Sequence, residues 1–600
     1  MTDPIPKALS APAKDYRPKR MTAMKLPRPG VFQVMREALF WIGPFCRFIF
    51  SRFYGRYILR VTDRERAKRS AQIFSSLGLR GLFLGQIAAR RIDLLPLEVC
   101  LALRRIEANT PSLDPKAVLD RIATQAGRPA DAVIAHIDAT PLKSSSLFCS
   151  SFRARLVDGR NVVIKMRRPG VAEKMMATLA VLNVLWRVGE MLTLAPQGTA
   201  NRLESDFRKA LEDDLDLRWQ GQLQAAFRRK VKEDRVPFVT TAKVIGEYLD
   251  HDLIVTRFEE GIPLPEIIRA VAEGDADTLT AMRAQGIKPR KVARRLLYLS
   301  WWSTLEGVFF IPDPNPRSIV VKPDGRLLLT SMGSGDVIPN QKVHMIRRIM
   351  ERLGQNDASR AGFAMLHLLS PLPNLDSYDL GKKLETLLHT AHYRSCNPSS
   401  AWADRTTLAI WKALLDTAKR FRIPIRQPIV RAIRGEMNYS ILAGMVWRDL
   451  DVWQTFQRYR ERAFDRVIDK ARRRHREALR TGVQANVASR YRDFTLQLDD
   501  STAYAESLLS KPPIELHSLS RKGSYAISVY GQAGFTLGAV TTGLVGLVAA
   551  LNGTFGLSWG ALKPTAMAVC THPAYLIFVW LILYGSTRMV LARINDVDVN

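Results

Sequence analysis

The chain is poor in cysteine and in acidic residues. Its five cysteines are scattered and contain no C-x-x-C pair, so the sequence indicates neither a disulfide framework nor a zinc site. Against 57 acidic residues stand 89 lysines and arginines, which gives a net charge of +32. Such an excess usually indicates an anionic partner. No zinc finger, basic zipper or aromatic RNA-binding motif is present, so nucleic acid is not the expected partner.

Two stretches near the C-terminus lack Asp, Glu, Lys and Arg altogether, from Gly523 to Leu551 and from Pro564 to Thr587. Each exceeds the roughly 20 residues needed to cross a hydrocarbon core. Basic residues precede the first stretch and follow the second, so the positive-inside rule places both ends in the cytoplasm. Glycines in the first stretch would allow a close approach of two helices. The sequence therefore predicts a membrane protein with a cytoplasmic body, and a pair of buried core helices is the alternative.

The first 60 residues predict a second membrane contact. They hold twelve Lys and Arg against three Asp and Glu, and residues 31–50 are rich in Phe, Trp, Ile and Leu. Pro44 and two internal arginines argue against a span, so we expect an interfacial helix on anionic lipid. The late apolar run is not typical of a signal peptide, but a mitochondrial targeting sequence has a similar composition.

A third basic segment covers residues 458–480, with ten basic and four acidic residues. Two interpretations remain open. It is either a surface helix that packs by its apolar face, or a helix that binds lipid headgroups before the first span. The apolar positions at helical spacing are Phe456, Tyr459, Ala463, Phe464, Val467, Ile468 and Ala471.

Between these basic segments the pattern predicts a mixture of helices and short strands. Residues 65–135 have Leu-rich helical periodicity with a break at Pro96. Residues 151–166 read FRARLV, a turn at Asp158-Gly159, then NVVIKM, which is typical of a β-hairpin. Further helices are expected at 171–194, 202–231, 291–307 and over most of 342–510, and strands at 237–244 and 253–258.

Residues 309–335 begin with an apolar run that leads to Asp313, which stands between two prolines. A short strand, a turn at Pro323-Asp324-Gly325 and a second strand follow. Kinase-like folds keep their catalytic aspartate and metal ligands on such loops. Ser318 and Ser331 stand where that chemistry uses Asn and Asp.

Together these motifs resemble the UbiB family of atypical kinases, which are membrane-associated proteins of ubiquinone biosynthesis. VVIKMRRPG, with Lys165 at the family's lysine, is the most specific match. The family's K-x-G-Q helix is similar to Phe83-Leu84-Gly85-Gln86, where Gly85 and Gln86 match and Phe83 replaces the lysine. The following D-L-L-P is present at Asp93. The resemblance covers about residues 70–340, and the paired spans extend it to the end.

The resemblance implies a site for ATP or ADP with Mg²⁺. Asp313 takes the position of the catalytic aspartate, and Asp313 with Asp216 would be the metal ligands. The implied nucleotide-binding residues are Lys165, Asp214, Asp216, Ser144, Ser145, Ser146 and Ser331. The family's catalytic loop and D-F-G are altered, because Arg317, Ser318 and Ser331 replace Gly, Asn and Asp. Magnesium favours carboxylate and other oxygen ligands, so these changes put phosphoryl transfer in doubt.

The resemblance thus predicts an α+β fold, a two-lobed atypical kinase-like body with a small antiparallel-sheet lobe, a helical lobe and a C-terminal transmembrane hairpin. The predicted function is that of a pseudokinase acting as an accessory factor in ubiquinone or isoprenoid-lipid biosynthesis. An active ATPase or kinase with a rearranged site is one alternative, and a basic membrane scaffold is another. The predicted segments are a basic region with an interfacial helix (1–64), a helical extension (65–140), the N-lobe (141–262), the C-lobe (263–400), a helical region with the basic helix (401–520), and the spans with a short tail (521–600).

The expected partners are anionic membrane lipids, ubiquinone-biosynthesis enzymes or isoprenoid intermediates, and no nucleic acid. The expected location is the bacterial inner membrane, with the body and both termini in the cytoplasm, or the mitochondrial inner membrane.

Overall fold

A computed structural model describes residues 26–27, 29–41, 43, 63–106, 113–142, 148–191, 199–306, 309–333, 335–337, 340–369, 377–421, 423, 425–481, 516–551 and 559–595. These residues form two compact units. The first unit contains the described residues of Met1–Thr178 and Arg208–Leu509. The second contains those of Leu179–Phe207 and Ser510–Asn600.

Helices dominate the chain, and all strands are short. The strands are β1 (Ile134–Ile137), β2 (Cys149–Leu156), β3 (Asn161–Arg167), β4 (Val239–Thr241), β5 (Leu253–Arg257), β6 (Ile262–Pro263), β7 (Phe309–Phe310), β8 (Ile319–Val321), β9 (Leu327–Leu329) and β10 (Asp336–Val337). The helices before β4 are α1 (31–41), α2 (Asp63–Ser76), α3 (Gly78–Ala88), α4 (Leu97–Arg104), α5 (Pro115–Ala126), α6 (Val171–Met191), α7 (Thr199–Leu215) and α8 (Leu217–Glu233). The later helices are α9 (Leu264–Glu273), α10 (Ala276–Ala284), α11 (Pro289–Leu305), α12 (Asn340–Gly354), α13 (Ala358–Leu366), α14 (Ser377–Cys396), α15 (Leu408–Arg420), α16 (Gln427–Val446), α17 (Val452–Thr481), α18 (Leu516–Leu551), α19 (Trp559–Thr571) and α20 (Pro573–Asn595).

The small lobe of the first unit is an antiparallel sheet in the order β1-β2-β3-β5. The predicted hairpin is confirmed, and Gly159 has a φ of +84° in its turn, where a side chain would be strained. Val162 and Ile164 of β3 are buried in a core formed with α5, and Lys165 points away from that core because side chains alternate along a strand.

The large lobe surrounds a second sheet in the order β4-β9-β8-β6. Strands β8 and β9 form the antiparallel pair predicted around the 323–325 turn, and the loop from β7 to β8 carries Asp313. Helices α8, α11 and α16 contribute to one large core that includes the fully buried Trp301 and Trp302. The predicted two-lobed kinase-like body is therefore confirmed.

Two helix predictions need correction. Residues 202–231 are not one helix, because the chain breaks at Asp216, whose side chain accepts a hydrogen bond from Trp219 N and begins α8. In α17, Phe456 and Tyr459 are buried as predicted, but Phe464 of the same proposed stripe is 65% exposed. The predicted break at Pro96 is confirmed, since Pro96 precedes α4. Of the predicted interfacial helix, residues 31–41 are helical and 44–50 lie outside the described residues.

The second unit contains two helices that are long and apolar enough to cross a membrane, Tyr525–Ala550 and Pro573–Leu591. They run antiparallel, since Tyr530 donates to Thr587 at 3.2 Å and Thr541 contacts Tyr575. The second begins later than predicted, because residues 564–571 belong to α19 and Pro573 starts α20. Cβ atoms added at Gly534, Gly538, Gly543 and Gly546 would meet nothing within 4 Å, so the expected close helix approach does not occur there.

Candidate functional site

Lys165 of the small lobe points toward the large lobe and reaches two polar side chains. Its Nζ donates to Gln220 Oε1 at 3.0 Å and to Ser331 Oγ at 3.3 Å. Ser331 Oγ also donates to Gln220 Oε1 at 2.9 Å. These contacts bring β3, α8 and the segment after β9 together, and they place Ser331, the residue at the D-F-G aspartate position, directly beside the lysine.

Gln220 was not predicted, although it is the residue on α8 that pairs with the strand lysine. Its Nε2 donates to the backbone carbonyls of Asp213 and Asp214, both at 2.9 Å, and this orients Oε1 toward Lys165. Kinases use a glutamate on a helix for this contact. No ion pair is recorded for Lys165 among the described residues, so its partner is a neutral amide.

The two aspartates of the predicted acidic motif have different surroundings. Asp216 is 1% exposed, and its Oδ1 accepts from Trp219 N at 3.1 Å and lies 2.9 Å from His251 Nδ1. It therefore acts as the N-cap of α8. Asp214 lies against Gly333, where an added Cβ would come within 2.5 Å of Asp214 Oδ1.

The pKa of Asp214 is raised. Burial is the main cause, and the nearby Asp313 adds to it, while Arg90 and Lys165 oppose the rise. A carboxyl group with a raised pKa holds its proton more readily, and a metal ligand must be deprotonated. Asp214 thus lies against the segment that follows Ser331, and its raised pKa disfavours it as a metal ligand.

Asp313 forms a two-point ion pair with an arginine from a distant part of the chain. Arg434 of α16 donates from Nε to Asp313 Oδ1 and from Nη2 to Asp313 Oδ2, both at 2.8 Å. Burial alone raises the pKa of Asp313, but attraction to Arg434 and Arg90 outweighs it and lowers the pKa below its ordinary value. Both carboxylate oxygens at the catalytic position are therefore engaged.

The rest of the catalytic loop is a tight turn. Asn315 Oδ1 accepts from Arg317 N at 3.1 Å and caps a short 3₁₀ turn. Ser318 O accepts from Thr330 N at 2.9 Å, so Ser318 and Ser331 lie at the same end of the β8–β9 hairpin. The backbone of Ser318 thus lies beside the residue that precedes Ser331.

The helical extension that carries Gly85 and Gln86 packs beside Asp313. Gln86 O accepts from Arg90 Nε at 2.9 Å, and Arg90 O accepts from Asn438 of α16 at 3.0 Å. Asp93 of the D-L-L-P motif lies 4.0 Å from Arg434. Arg434 therefore has one acidic residue from the extension and one from the catalytic loop as neighbours.

Aromatic packing replaces the family's lysine in the same extension. Phe83 is 3% exposed, and its ring centroid lies 5.2 Å from that of Phe148, just before β2. In α4 of the same extension, burial lowers the pKa of Arg104 to about 10. An apolar contact thus holds the extension against the small lobe.

Some predicted residues cannot be placed. Ser144, Ser145 and Ser146 lie outside the described residues. Among the residues that are described, no group of three or more His, Cys, Asp or Glu side chains is arranged to hold a metal ion.

Comparisons with known proteins agree with the motifs. The ABC1 atypical kinase-like domain matches residues 105–364. "Probable protein kinase UbiB" of Azotobacter vinelandii is 24% identical over 415 residues, which cover 67% of this chain and 72% of that protein. The protein of the same name from Cellvibrio japonicus is 24% identical over 410 residues, covering 67% and 70%.

Among solved structures, the complex of Rv3197 with erythromycin from Mycobacterium tuberculosis matches at a TM-score of 0.39 and 16% identity, covering 56% of this chain and 84% of that one. The kinase-like fold, the lysine strand, the catalytic loop and the D-L-L-P segment occur together in one body. Residues 105–364 thus match the ABC1 atypical kinase-like domain, and the chain is similar over about two thirds of its length to proteins named UbiB.

Proposed function

We propose that the protein is a membrane-bound member of the UbiB family that no longer transfers phosphate. It would act as an accessory factor in ubiquinone or isoprenoid-lipid biosynthesis by binding lipid or partner enzymes. The observation that carries this proposal is the ion pair of Asp313 with Arg434, at 2.8 Å through both carboxylate oxygens. A catalytic aspartate must accept a proton from the substrate hydroxyl, and a carboxylate held by a guanidinium is a weaker base.

The residues at the family's metal-ligand positions support the same proposal. Ser318 and Ser331 offer hydroxyl groups where the family has an amide and a carboxylate, and Asp216 is engaged as a helix cap. Magnesium bridges the phosphates in kinases and neutralises their charge. The residues present do not fit that ion, because Asp313 is paired with Arg434, Asp216 caps a helix, and burial raises the pKa of Asp214.

The surroundings of Gln220 also differ from those that a kinase glutamate would need. A glutamate in its place would turn one carboxylate oxygen toward two backbone carbonyl oxygens that now accept hydrogen bonds at 2.9 Å. Such oxygens repel each other, so the surroundings of residue 220 suit an amide. The backbone around residue 220 therefore favours a neutral amide over a carboxylate.

The experiment that tests the proposal is a nucleotide assay on purified full-length protein. We expect no Mg²⁺-dependent ATP hydrolysis above that of Lys165→Ala, because the metal lacks suitable ligands and the catalytic aspartate is paired with an arginine. Magnesium-dependent hydrolysis that disappears in Lys165→Ala and in Asp313→Asn would contradict the proposal and favour the active alternative.

A second variant tests whether the missing metal ligands alone prevent phosphate transfer. Arg317→Gly with Ser318→Asn and Ser331→Asp restores the family's residue types. We expect this variant to bind nucleotide more tightly with Mg²⁺ than without it, but still to turn over no ATP, since Arg434 continues to pair with Asp313. Equilibrium dialysis with and without Mg²⁺ measures the binding. Full turnover by this triple variant would show that the ion pair does not limit catalysis.

The membrane part of the proposal has its own test. We expect both ends of the α18–α20 pair to face the cytoplasm, because basic residues flank it on both sides. In a chain that keeps Cys396, which is exposed on the body, as its sole cysteine, a reagent that cannot cross the membrane should label only opened cells. In a chain whose sole cysteine is Lys563→Cys, intact cells should be labelled. The reverse labelling pattern would show that the body faces away from the cytoplasm and would contradict this prediction.

A further inference from the structure

A dense group of cations lies on the large lobe, away from the candidate site. It consists of residues from the start of α11 and from the β8–β9 turn: Lys288, Arg290, Lys291, Arg294, Arg295 and Arg326. The three residues of β8 separate this turn from Ser318, a distance of roughly 10 Å at the usual rise of a strand. We refer to these six residues, with Arg462 of α17, as the cationic face.

Three elements hold the cationic face together. Lys291 Nζ and Arg295 Nη1 both donate to the carbonyl of Asp324, at 3.3 and 3.1 Å. They pack on Gly325, where an added Cβ would come within 3.0 Å of Arg295 Nη1. The guanidinium of Arg462 lies 5.7 Å from the ring centroid of Tyr298 on α11. The fold thus gathers cations from α11, the turn and α17 on one surface.

The positive charge of this surface is largely uncompensated. In the described part of the chain, the only ion pair recorded for these seven side chains joins Arg326 to Asp324. The pKa of Lys291 is lowered, first by repulsion from Arg295, then by burial, with Arg294 and Lys288 adding to it and Asp324 opposing. Cations that repel one another in this way are stabilised when an anion binds.

We propose that the cationic face binds the anionic headgroups of the membrane surface, as a contact of the body with the bilayer in addition to the apolar helices. The proposal rests on the membrane-bound part of the proposed function and is independent of whether phosphate is transferred. It assigns a role to the KPRKVARR segment at 288–295, which the sequence motifs do not explain.

A membrane fits this surface better than a soluble polyanion does. Each basic residue near an anionic bilayer contributes only about 1 kcal/mol. Such weak contacts do not capture a dilute partner, but they suffice when the body is tethered by spans, because the tether raises the effective concentration of headgroups. The chain offers two helices long enough for such a tether.

The test uses the full-length chain in lipid nanodiscs of phosphatidylcholine, with or without phosphatidylglycerol, followed by amide hydrogen exchange. We expect exchange in residues 288–295 and 322–327 to slow in the anionic discs only, and the protection to disappear at high salt, since screening acts over about 8 Å at physiological ionic strength. In Arg290→Gln with Arg294→Gln, the ratio of docked to undocked protein should fall roughly 25-fold, about fivefold per residue.

Lys382→Gln with Arg394→Gln provides the matched control, because it removes the same charge from exposed positions of α14. This control should keep the protection. Equal exchange in both kinds of disc, protection that salt does not reduce, or equal loss in the control would each overturn the proposal. Protection by RNA or by an acidic polypeptide in place of anionic lipid would also overturn it and assign the face to that partner. ATP turnover is not measured here, so a failure of this test differs from a failure of the pseudokinase proposal.

Discussion

Replacing Arg434 with methionine is expected to lower the free energy of unfolding by about 3–5 kcal/mol. Arg434 and Asp313 have side chains that are 4% and 14% exposed, so the variant leaves a buried carboxylate without its cation. Asp93, 4.0 Å from the same guanidinium, loses a neighbour as well, although Arg91 still pairs with it at 3.0 Å. The expected cost is therefore mainly that of an unpaired buried charge.

A double-mutant cycle separates that cost from the loss of arginine packing. Asp313→Asn with Arg434→Met should be more stable than Arg434→Met alone by about 2 kcal/mol or more, because the amide removes the buried charge. Thermal and chemical unfolding of the purified full-length variants measures the difference. Equal stability of the single and double variants would show that Asp313 is hydrated in the folded protein and that the ion pair contributes little.

The deficit of Arg434→Met should also shrink as the pH falls. In the parent protein the pKa of Asp313 is held below its ordinary value, so the pair stabilises the fold above that ordinary value and its contribution is lost on acidification. In the variant, only Arg90 and Arg431 still oppose the effect of burial, so the pKa of Asp313 is higher than in the parent and protonation removes the buried charge more readily. A deficit that stays constant between neutral and acidic pH would contradict this account.

Local signals in the sequence were sufficient for the elements that carry the site. The alternation in NVVIKM and the turn residues at 158–159 predict the hairpin, and Lys165 is on its outward face. The loop around Asp313 and the strands that follow are also local, because prolines and a Pro-Asp-Gly turn determine them. The alternation of apolar residues and the preferences of turn residues act over a few positions, so they can be read from a single sequence.

The partners of those residues depend on contacts that no local pattern records. Arg434 is 121 positions from Asp313 and lies beyond the matched domain, in a helix whose sequence gives no sign of a site. Gln220 is 55 positions from Lys165. Its only local signal is its place one turn after the cap at Asp216, a residue that the resemblance had assigned to metal.

These long-range contacts have a common electrostatic effect. Where a kinase holds a metal between carboxylates, this chain pairs Asp313 with an arginine, raises the pKa of Asp214 and pairs Lys165 with an amide. Each change lowers the need for a divalent cation to balance charge in the cleft. The three positions are thus consistent with one another and with the proposed loss of magnesium binding.

The second large expected effect concerns Glu436, which lies two residues after Arg434 in α16 and is buried in the core of the large lobe. Its carboxyl group is 5% exposed and accepts hydrogen bonds from Trp301 Nε1 at 2.7 Å and Ser300 Oγ at 2.9 Å. Burial raises the pKa of Glu436 from 4.5 to about 7, and the two hydrogen bonds only partly oppose the rise. The folded protein therefore keeps a proton at pH values where the unfolded chain has released it.

Between pH 4.5 and about 7 the folded state binds more protons than the unfolded state at this site, so the free energy of unfolding falls as the pH rises. Above that range the full loss of stability is present, on the order of 3 kcal/mol for such a shift.

Glu436→Gln does not titrate, and its amide can still accept a hydrogen bond from Trp301. We expect the stability of this variant relative to the parent to be higher at pH 8 than at pH 4.5 by that amount, in unfolding measurements on both proteins at each pH. Comparing the two proteins at the same pH cancels the titration of the other carboxyl groups. A relative stability that does not change with pH would mean that Glu436 is ionised in the folded protein and that the surrounding tryptophan and hydroxyl groups stabilise its charge.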